Sequence, residues 1–257
     1  MRGARLRASG RIDAAAHLEQ HTDIAEVEAI ARIACFAEWT GAAVHIAHLS
    51  SRHSLPQIRF AKSRGVNMTV ETCPHYLLLS TADGARLGET FLRVKPPLRA
   101  PGHADALWQA LRDGTIDILS TDHAPHLPTQ KRCPVIWDCA PGFAGVETSM
   151  PLMLAQVNHG RMTLCDYVRM SAEAPAAAFA LTGKGHLAVG ADADIVLVDM
   201  TRRGQITAGA LHSIGASTPF EGFEVWGQPV RTLVRGTTVC LDGAIVAQPG
   251  HGRLLRH

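Results

Sequence analysis

The stretch Ile116-Asp-Ile-Leu-Ser-Thr-Asp-His-Ala-Pro-His126 decides how the fold of this chain is interpreted. Its apolar run ends in Asp122 and His123, and Pro125 prevents a simple continuation of a strand. The pattern predicts a buried strand that brings a carboxylate and two imidazoles to the carboxyl edge of a sheet, where α/β barrels carry their chemistry. A capped turn with polar loop histidines is the alternative, so the assignment needs a second motif of the same design.

Two more strands of this kind are predicted upstream, over residues 44–49 and 66–71. Helical patterns separate and follow the three strands, at about residues 24–40, 55–64, 104–112, 147–158 and 164–181. This alternation indicates an α/β fold with a parallel sheet and right-handed crossovers. Three strands cannot close a barrel. Residues 1–22 are predicted to be a loop that enters the first helix.

The pattern of predicted secondary structure changes near Gly185. Short β-rich runs follow, separated by glycines and by the hairpin signal Asp242-Gly243. We therefore predict a partial barrel domain over residues 1–184 and a small β subdomain over residues 185–257.

Composition limits the classes of function. The formal net charge is +2, so neither a nucleic acid nor an acidic membrane surface is implied as a partner. The six cysteines are scattered without a Cys-x-x-Cys pair, which argues against a structural zinc knuckle and a secreted disulfide framework. The first residues lack the apolar core of a signal peptide, and no stretch is long and apolar enough for a membrane span. We expect a cytoplasmic protein.

Two histidines on the first predicted strand are candidates for metal binding. His45 and His48 should point to opposite faces of a regular strand, so only one of them can face a shared ligand. We favour His48, which is nearer the carboxyl end, and the parallel sheet should bring that end beside Asp122. Histidine and aspartate are zinc-type ligands, although a catalytic zinc needs at least three protein donors.

Four other polar residues have two interpretations each. Glu71 can be a metal ligand, a cap or an ion-pair partner, and His75, after Pro74, is more typical of a supporting residue. Lys95 and Arg99 in the Pro-Pro loop can hold an anionic group of a substrate or can be solvated loop charges.

Seven motifs occur in the order seen in cyclic amidohydrolases, the group that includes dihydroorotases, allantoinases and hydantoinases. They are His45-Ile-Ala-His-Leu-Ser-Ser51, Glu71-Thr-Cys-Pro-His-Tyr76, Lys95-Pro-Pro-Leu-Arg99, Thr121-Asp-His-Ala-Pro-His126, Gly142-Phe-Ala-Gly-Val-Glu-Thr148, Gly190-Ala-Asp-Ala-Asp194 and Thr218-Pro-Phe-Glu-Gly222. The chain resembles this family from about residue 9 to its C-terminus.

The resemblance implies the C-terminal part of a (β/α)8 metallo-dependent hydrolase barrel with a small β-sandwich subdomain. His48 matches the metal-binding histidine of the family's sixth strand. Asp122 matches the eighth-strand aspartate, which binds metal and acts as the general base. His126 matches a histidine that contacts the substrate. Lys95, which we also expect to bind the substrate, precedes Pro-Pro, where many dihydroorotases have Asn. One or two zinc ions and a small cyclic amide or ureide substrate are implied.

The chain departs from the family pattern at its N-terminus. The family's His-x-His on the first strand, its carboxylated Lys on the fourth and its His on the fifth have no counterpart before the helix at Ile24, because His17 and His21 lie in the segment that would follow the fifth strand. We therefore expect an N-terminally incomplete chain that is inactive alone and that forms a homo-oligomer or binds a partner chain through its unpaired strand edges.

Two other functions remain open from the sequence. One is a non-catalytic pseudoenzyme or assembly partner built on the same fold. The other is a metal-free α/β hydrolase, which is disfavoured because no Gly-x-Ser-x-Gly motif is present.

Overall fold

The structure is a computed structural model that describes residues 2–215 and 217–255. Contacts group the chain into two compact units, which are Met1–Val146 with Thr207–Glu221, and Glu147–Ile206 with Gly222–His257. The predicted division of the family's domains near residue 185 stays a prediction.

The first unit contains a parallel sheet of three strands in the order β1-β2-β3. They are β1 (Val44–Ile46), β2 (Met68–Thr72) and β3 (Ile118–Leu119). Val44 pairs with Met68, and Glu71 pairs with Ile118. The α/β class with a parallel sheet is thus confirmed. The first and third strands are shorter than their apolar runs, so His48 and Asp122 follow the strands rather than lie in them.

Helices precede and connect the three strands. They are α1 (Arg2–Ala8), α2 (Ala14–Gln20), α3 (Asp23–Thr40), α4 (Leu55–Ser63), α5 (Pro74–Leu78), α6 (Gly84–Leu87), α7 (His103–Arg112) and α8 (Pro128–Lys131), with 3₁₀ turns at Arg52–Ser54 and Thr81–Asp83. Helix α3 ends at Gly41, whose φ of 71° and N–H bond to Ala37 O form the left-handed cap that its sequence predicts.

The prediction of a loop over residues 1–22 is wrong, because α1 and α2 occupy most of this segment. The Asp13 side chain caps α2 by accepting a hydrogen bond from the Ala16 N–H at 3.0 Å. Ala16 is fully buried and belongs to a small apolar cluster with Ile136 and Trp137. These contacts are distant in sequence, so the few apolar residues of the segment did not reveal them.

Burial in this unit follows the strand period. Met68, Val70 and Thr72 of β2 are buried, and Ile58 of α4 and Leu107 of α7 are also fully buried. Burying a side chain of this size stabilises the fold by about 1.5–3 kcal/mol. The sheet therefore gives the polar strand ends a rigid base.

The second unit combines short helices with one antiparallel sheet in the order β4-β5-β6-β7. The elements are α9 (Val146–Asn158), α10 (Leu164–Val168), a π-helical turn (Arg169–Glu173), α11 (Ala174–Ala178), β4 (Ile195–Gln205), β5 (Glu224–Val234), β6 (Thr237–Leu241) and β7 (Ala244–Ile245). Asp242 and Gly243 both have positive φ, and this confirms the predicted hairpin turn between β6 and β7. None of the helices in the described ranges is long and apolar enough to cross a membrane.

His17 of α2 makes stability depend on pH. Its side chain is 3% exposed, and burial lowers its pKa from the ordinary 6.5 to about 4. As the pH falls, His17 is protonated in the unfolded chain before it is protonated in the folded protein. The free energy of unfolding is therefore highest above pH 6.5 and falls towards pH 4. We expect His17→Gln to remove about 2 kcal/mol of the stability loss between about pH 6.5 and 4.5.

Urea unfolding of both proteins across this range measures the difference. The histidines that do not contact His17 contribute equally to both curves, whereas the ring of His21 lies 4.8 Å from that of His17. Parallel curves for the wild type and the variant would contradict the assignment.

Candidate metal and substrate site at the carboxyl strand ends

His48 and Asp122 follow β1 and β3 at the same edge of the parallel sheet, and both have a left-handed backbone. Their φ angles are 43° and 45°. Non-glycine residues adopt this region at a cost, and such strain concentrates at functional sites. The two residues predicted as metal ligands therefore share an uncommon conformation as well as a location.

The ring of His48 has an unsatisfied nitrogen. Its Nδ1 is buried and makes no hydrogen bond among the described residues, and its backbone N–H donates to Glu71 Oε1 at 3.3 Å. His45 lies inside β1, where its Nδ1 bonds to Thr69 Oγ1 at 2.8 Å and its Nε2 is 3.1 Å from Glu71 Oε2. Glu71 thus supports both histidines, while a ring nitrogen of His48 remains available to a ligand.

The environment of Asp122 changes its acidity. Burial raises the pKa of this carboxyl above its ordinary value, the charge of His48 opposes that change, and the charge of Glu71 reinforces it. A carboxylate with a raised pKa is a better proton acceptor than an exposed aspartate. The role of Asp122 as a general base stays a prediction.

His75 lies beside this pair at the start of α5. It is 3% exposed, its Nε2 makes no hydrogen bond among the described residues, and its ring packs 4.1 Å from that of Tyr76. Burial lowers the pKa of His75 to about 3, and the charge of His48 acts in the same direction. The ring is therefore neutral at physiological pH.

A cavity of about 330 Å³ borders His48 and is also lined by His21, Glu26, Lys95 and Arg99. Lys95 is exposed at the edge of this space. The size suits a small cyclic molecule, and Lys95 adds a positive charge to the rim.

Arg99 has neither of the two roles considered from the sequence. It is 9% exposed, and its guanidinium donates to Ser50 Oγ at 3.0 Å, His21 O at 2.7 Å and Glu26 Oε2 at 3.3 Å. All of its charge is used inside the protein, so Lys95 is the remaining candidate of the two for an anionic group.

Two histidines of the Thr121–His126 motif hold the following loop. His126 Nε2 lies 2.9 Å from Pro141 O, and His123 Nδ1 accepts the Gly145 N–H at 3.0 Å. His123 is exposed, so its role is to position this loop. His126 is half-buried and lies four residues after Asp122, and its contact with a substrate stays a prediction.

Glu26 is the supporting residue that the sequence did not reveal. Its carboxylate accepts hydrogen bonds from Ser50 Oγ at 2.5 Å, the Ser51 N–H at 2.9 Å and Ser54 Oγ at 2.8 Å, besides Arg99. It fixes the loop that begins at His48. An acidic residue in the first turn of a helix is an ordinary pattern, so nothing local distinguished it.

The donor atoms present fit a zinc-type cation. His48 offers an unpartnered buried imidazole nitrogen and Asp122 offers a carboxylate, which are common zinc ligands. They are only two donors, however. Among the described residues, the group of three potential ligands that lie close together is elsewhere, at Asp23, His53 and His103.

Comparison with known proteins decides the family. The profile described as "Amidohydrolase family" matches residues 7–239. The chain belongs to the amidohydrolase family. It is 43% identical over 240 residues to a dihydroorotase of Halobacterium salinarum, covering 93% of this chain and 55% of that protein. It is 34% identical over 255 residues to an L-hydantoinase of Paenarthrobacter aurescens, covering 97% and 55%.

Solved structures give the same result for this amidohydrolase chain. An L-hydantoinase (dihydropyrimidinase) from Arthrobacter aurescens aligns with a TM-score of 0.94 and 33% identity, over 99% of this chain and 57% of that one. A D-hydantoinase (dihydropyrimidinase) from Thermus sp. also has a TM-score of 0.94, with 32% identity. The predicted family is confirmed, and the chain spans about half the length of these relatives.

The strained backbone of His48 leads to a stability prediction. Glycine adopts a left-handed φ without the clash of a Cβ, so His48→Gly should be more stable than His48→Ala by about 1 kcal/mol. At His45, inside β1, the order should reverse, because glycine costs roughly 0.5–1 kcal/mol in a strand. Chemical unfolding of the four variants measures both differences. The same order at both positions would contradict the account of strain.

Proposed function

We propose that this chain provides part of a metal-dependent site that hydrolyses a C–N bond in a small cyclic amide or ureide. The observation that carries the proposal is the pair His48 and Asp122. His48 follows β1 and Asp122 follows β3, the two outer strands of one parallel sheet, and both have left-handed backbones. His48 has a ring nitrogen without a hydrogen bond among the described residues, and Asp122 has a carboxyl of raised pKa.

His48 and Asp122 would hold a zinc-type cation together with further donors. Bound there, the cation would supply an activated water and a polarised ring carbonyl. Asp122 accepts a proton from the water while the water oxygen bonds to the carbonyl carbon. Asp122 then gives that proton to the ring nitrogen as the C–N bond breaks, so the base is regenerated in each cycle.

Lys95 and His126 would orient the substrate. Lys95 is exposed at the edge of the cavity beside His48, where its charge suits a substrate that carries an anionic group. His126 belongs to the same motif as Asp122, and its ring is held by a contact with Pro141 O. The names of the relatives, dihydroorotase and hydantoinase, support a six- or five-membered cyclic amide, and Lys95 favours one with a carboxylate.

The burial of His75 and Tyr76 supports a site from which solvent is partly excluded. Both side chains are 3% exposed, and the Tyr76 hydroxyl donates to Pro96 O at 2.7 Å in the loop of Lys95. This bond connects α5 to the loop that carries the proposed substrate contact. Association with a second copy or a partner chain, and a cytoplasmic location, stay predictions.

The test uses a fusion, in which the part of the Paenarthrobacter L-hydantoinase that this chain does not match precedes residue 9. With zinc, the fusion should hydrolyse hydantoins or dihydroorotate, and Asp122→Asn should lower kcat by at least about a hundredfold, because both a ligand and the base are lost. The chain alone should give no measurable turnover in the same assay.

Metal content provides the control. His48→Ala should reduce the zinc bound by the fusion, whereas His45→Ala, whose ring is engaged inside the sheet, should leave it nearly unchanged. A folded, zinc-loaded fusion without activity would favour the non-catalytic alternative. Activity that survives Asp122→Asn would refute the proposed role of the carboxylate.

A further inference from the structure

A second group of potential metal ligands lies outside the proposed active site, at Asp23, His53 and His103. Asp23 is the first residue of α3, His53 lies in the 3₁₀ turn after β1, and His103 is the first residue of α7. One donor atom from each of the three residues lies within 4.8 Å of the others. Three segments that are far apart in sequence therefore converge on one point.

The side chains at this point are arranged as a ligand set. The rings of His53 and His103 are 5.3 Å apart between centroids and meet edge to face at 78°. His103 is 8% exposed, whereas His53 is exposed. Oδ1 of Asp23 is buried and makes no hydrogen bond among the described residues. The cluster thus combines a buried carboxylate oxygen, which has Arg99 Nε as an ion-pair neighbour at 3.3 Å, with two imidazoles, one of which opens to solvent.

We propose that Asp23, His53 and His103 form a binding site for a divalent cation of the zinc class, separate from His48 and Asp122. Two imidazoles and one carboxylate are a common three-ligand set for zinc, and the open side at His53 leaves a fourth position for water. The cation would connect the starts of α3 and α7 to the loop that follows β1. Its role is structural, and the proposal is independent of the proposed hydrolase activity.

The protonation states of His103 and Asp23 are compatible with this geometry. Burial lowers the pKa of His103, so its ring is neutral and can donate a lone pair. Burial acts to raise the pKa of Asp23, but the Ser51 hydrogen bond and the charge of Arg99 together lower it below the ordinary value. The carboxylate is therefore ionised at neutral pH, as a metal ligand must be.

Two existing contacts compete with a cation. Arg99 Nε lies 3.3 Å from Asp23 Oδ1, and the Arg52 N–H donates to His103 Nδ1 at 3.2 Å. Arg99 keeps Ser50 Oγ, His21 O and Glu26 Oε2 as partners if the carboxylate turns to a metal. The Arg52 bond is long and would be lost. The cation would also lie near the N-termini of α3 and α7, whose helix dipoles are positive there. The lost contact and this repulsion predict weaker binding than at a dedicated zinc site.

The experiment measures cobalt(II) and zinc binding to the full chain carrying His48→Ala, which removes the other candidate site. After chelator treatment, this protein should bind about one equivalent of zinc, and cobalt should give the visible absorption of a tetrahedral nitrogen and oxygen site. Adding His53→Ala should weaken the affinity by at least about tenfold. His53 is exposed, so its removal should leave folding intact. His103→Gln provides a second test of the same site.

His186→Ala is the matched control, because His186 is another exposed histidine that lies outside the cluster. It should leave metal binding unchanged. Binding that is insensitive to both His53→Ala and His103→Gln, or equally weakened by His186→Ala, would overturn the proposal. A thiolate-to-cobalt charge-transfer band would also overturn it, because the ion would then be bound by cysteines.

Discussion

The buried ion pair between Glu26 and Arg99 is the interaction on which the proposed site depends. Their side chains are 12% and 7% exposed, and they connect three segments, which are α3, the loop after β1 and the loop of Lys95. Charges this deeply buried are costly to desolvate, and they are tolerated here because hydrogen bonds to Ser50, Ser51 and the His21 carbonyl complete their coordination. The pair therefore fixes the loop that holds His48.

That fixed loop explains how strain can persist at the strand ends. A left-handed backbone at His48 and at Asp122 costs free energy at each position, and the surrounding contacts must supply it. On the His48 side, Glu71 accepts its N–H and the Glu26 network holds the residues that follow. On the Asp122 side, the loop bonds of His123 and His126 restrain the chain. Restrained loops on a parallel sheet thus carry the two proposed ligands.

The sequence predicted the features that repeat locally. The period of α3, its glycine cap and the Asp242-Gly243 hairpin are local patterns, and the ordered motifs identified the family. It did not predict α1 and α2, whose stability comes from the distant Ile136 and Trp137, or the roles of Glu26 and Arg99, which meet only in the folded chain. Period-two reasoning could not place His48, because β1 ends at Ile46 and the turn that follows has its own geometry.

Stability of Glu26→Ala tests the central role of the buried pair most directly. Removing the carboxylate leaves the Arg99 charge buried with only neutral partners and the partly exposed Asp23, so the free energy of unfolding should fall by about 3–5 kcal/mol. Glu28→Ala in the same helix removes an exposed carboxylate that faces Arg32 at 3.4 Å, and it should change stability by less than about 0.5 kcal/mol. Urea unfolding of both variants gives the comparison. Equal, small losses for Glu26→Ala and Glu28→Ala would contradict the account.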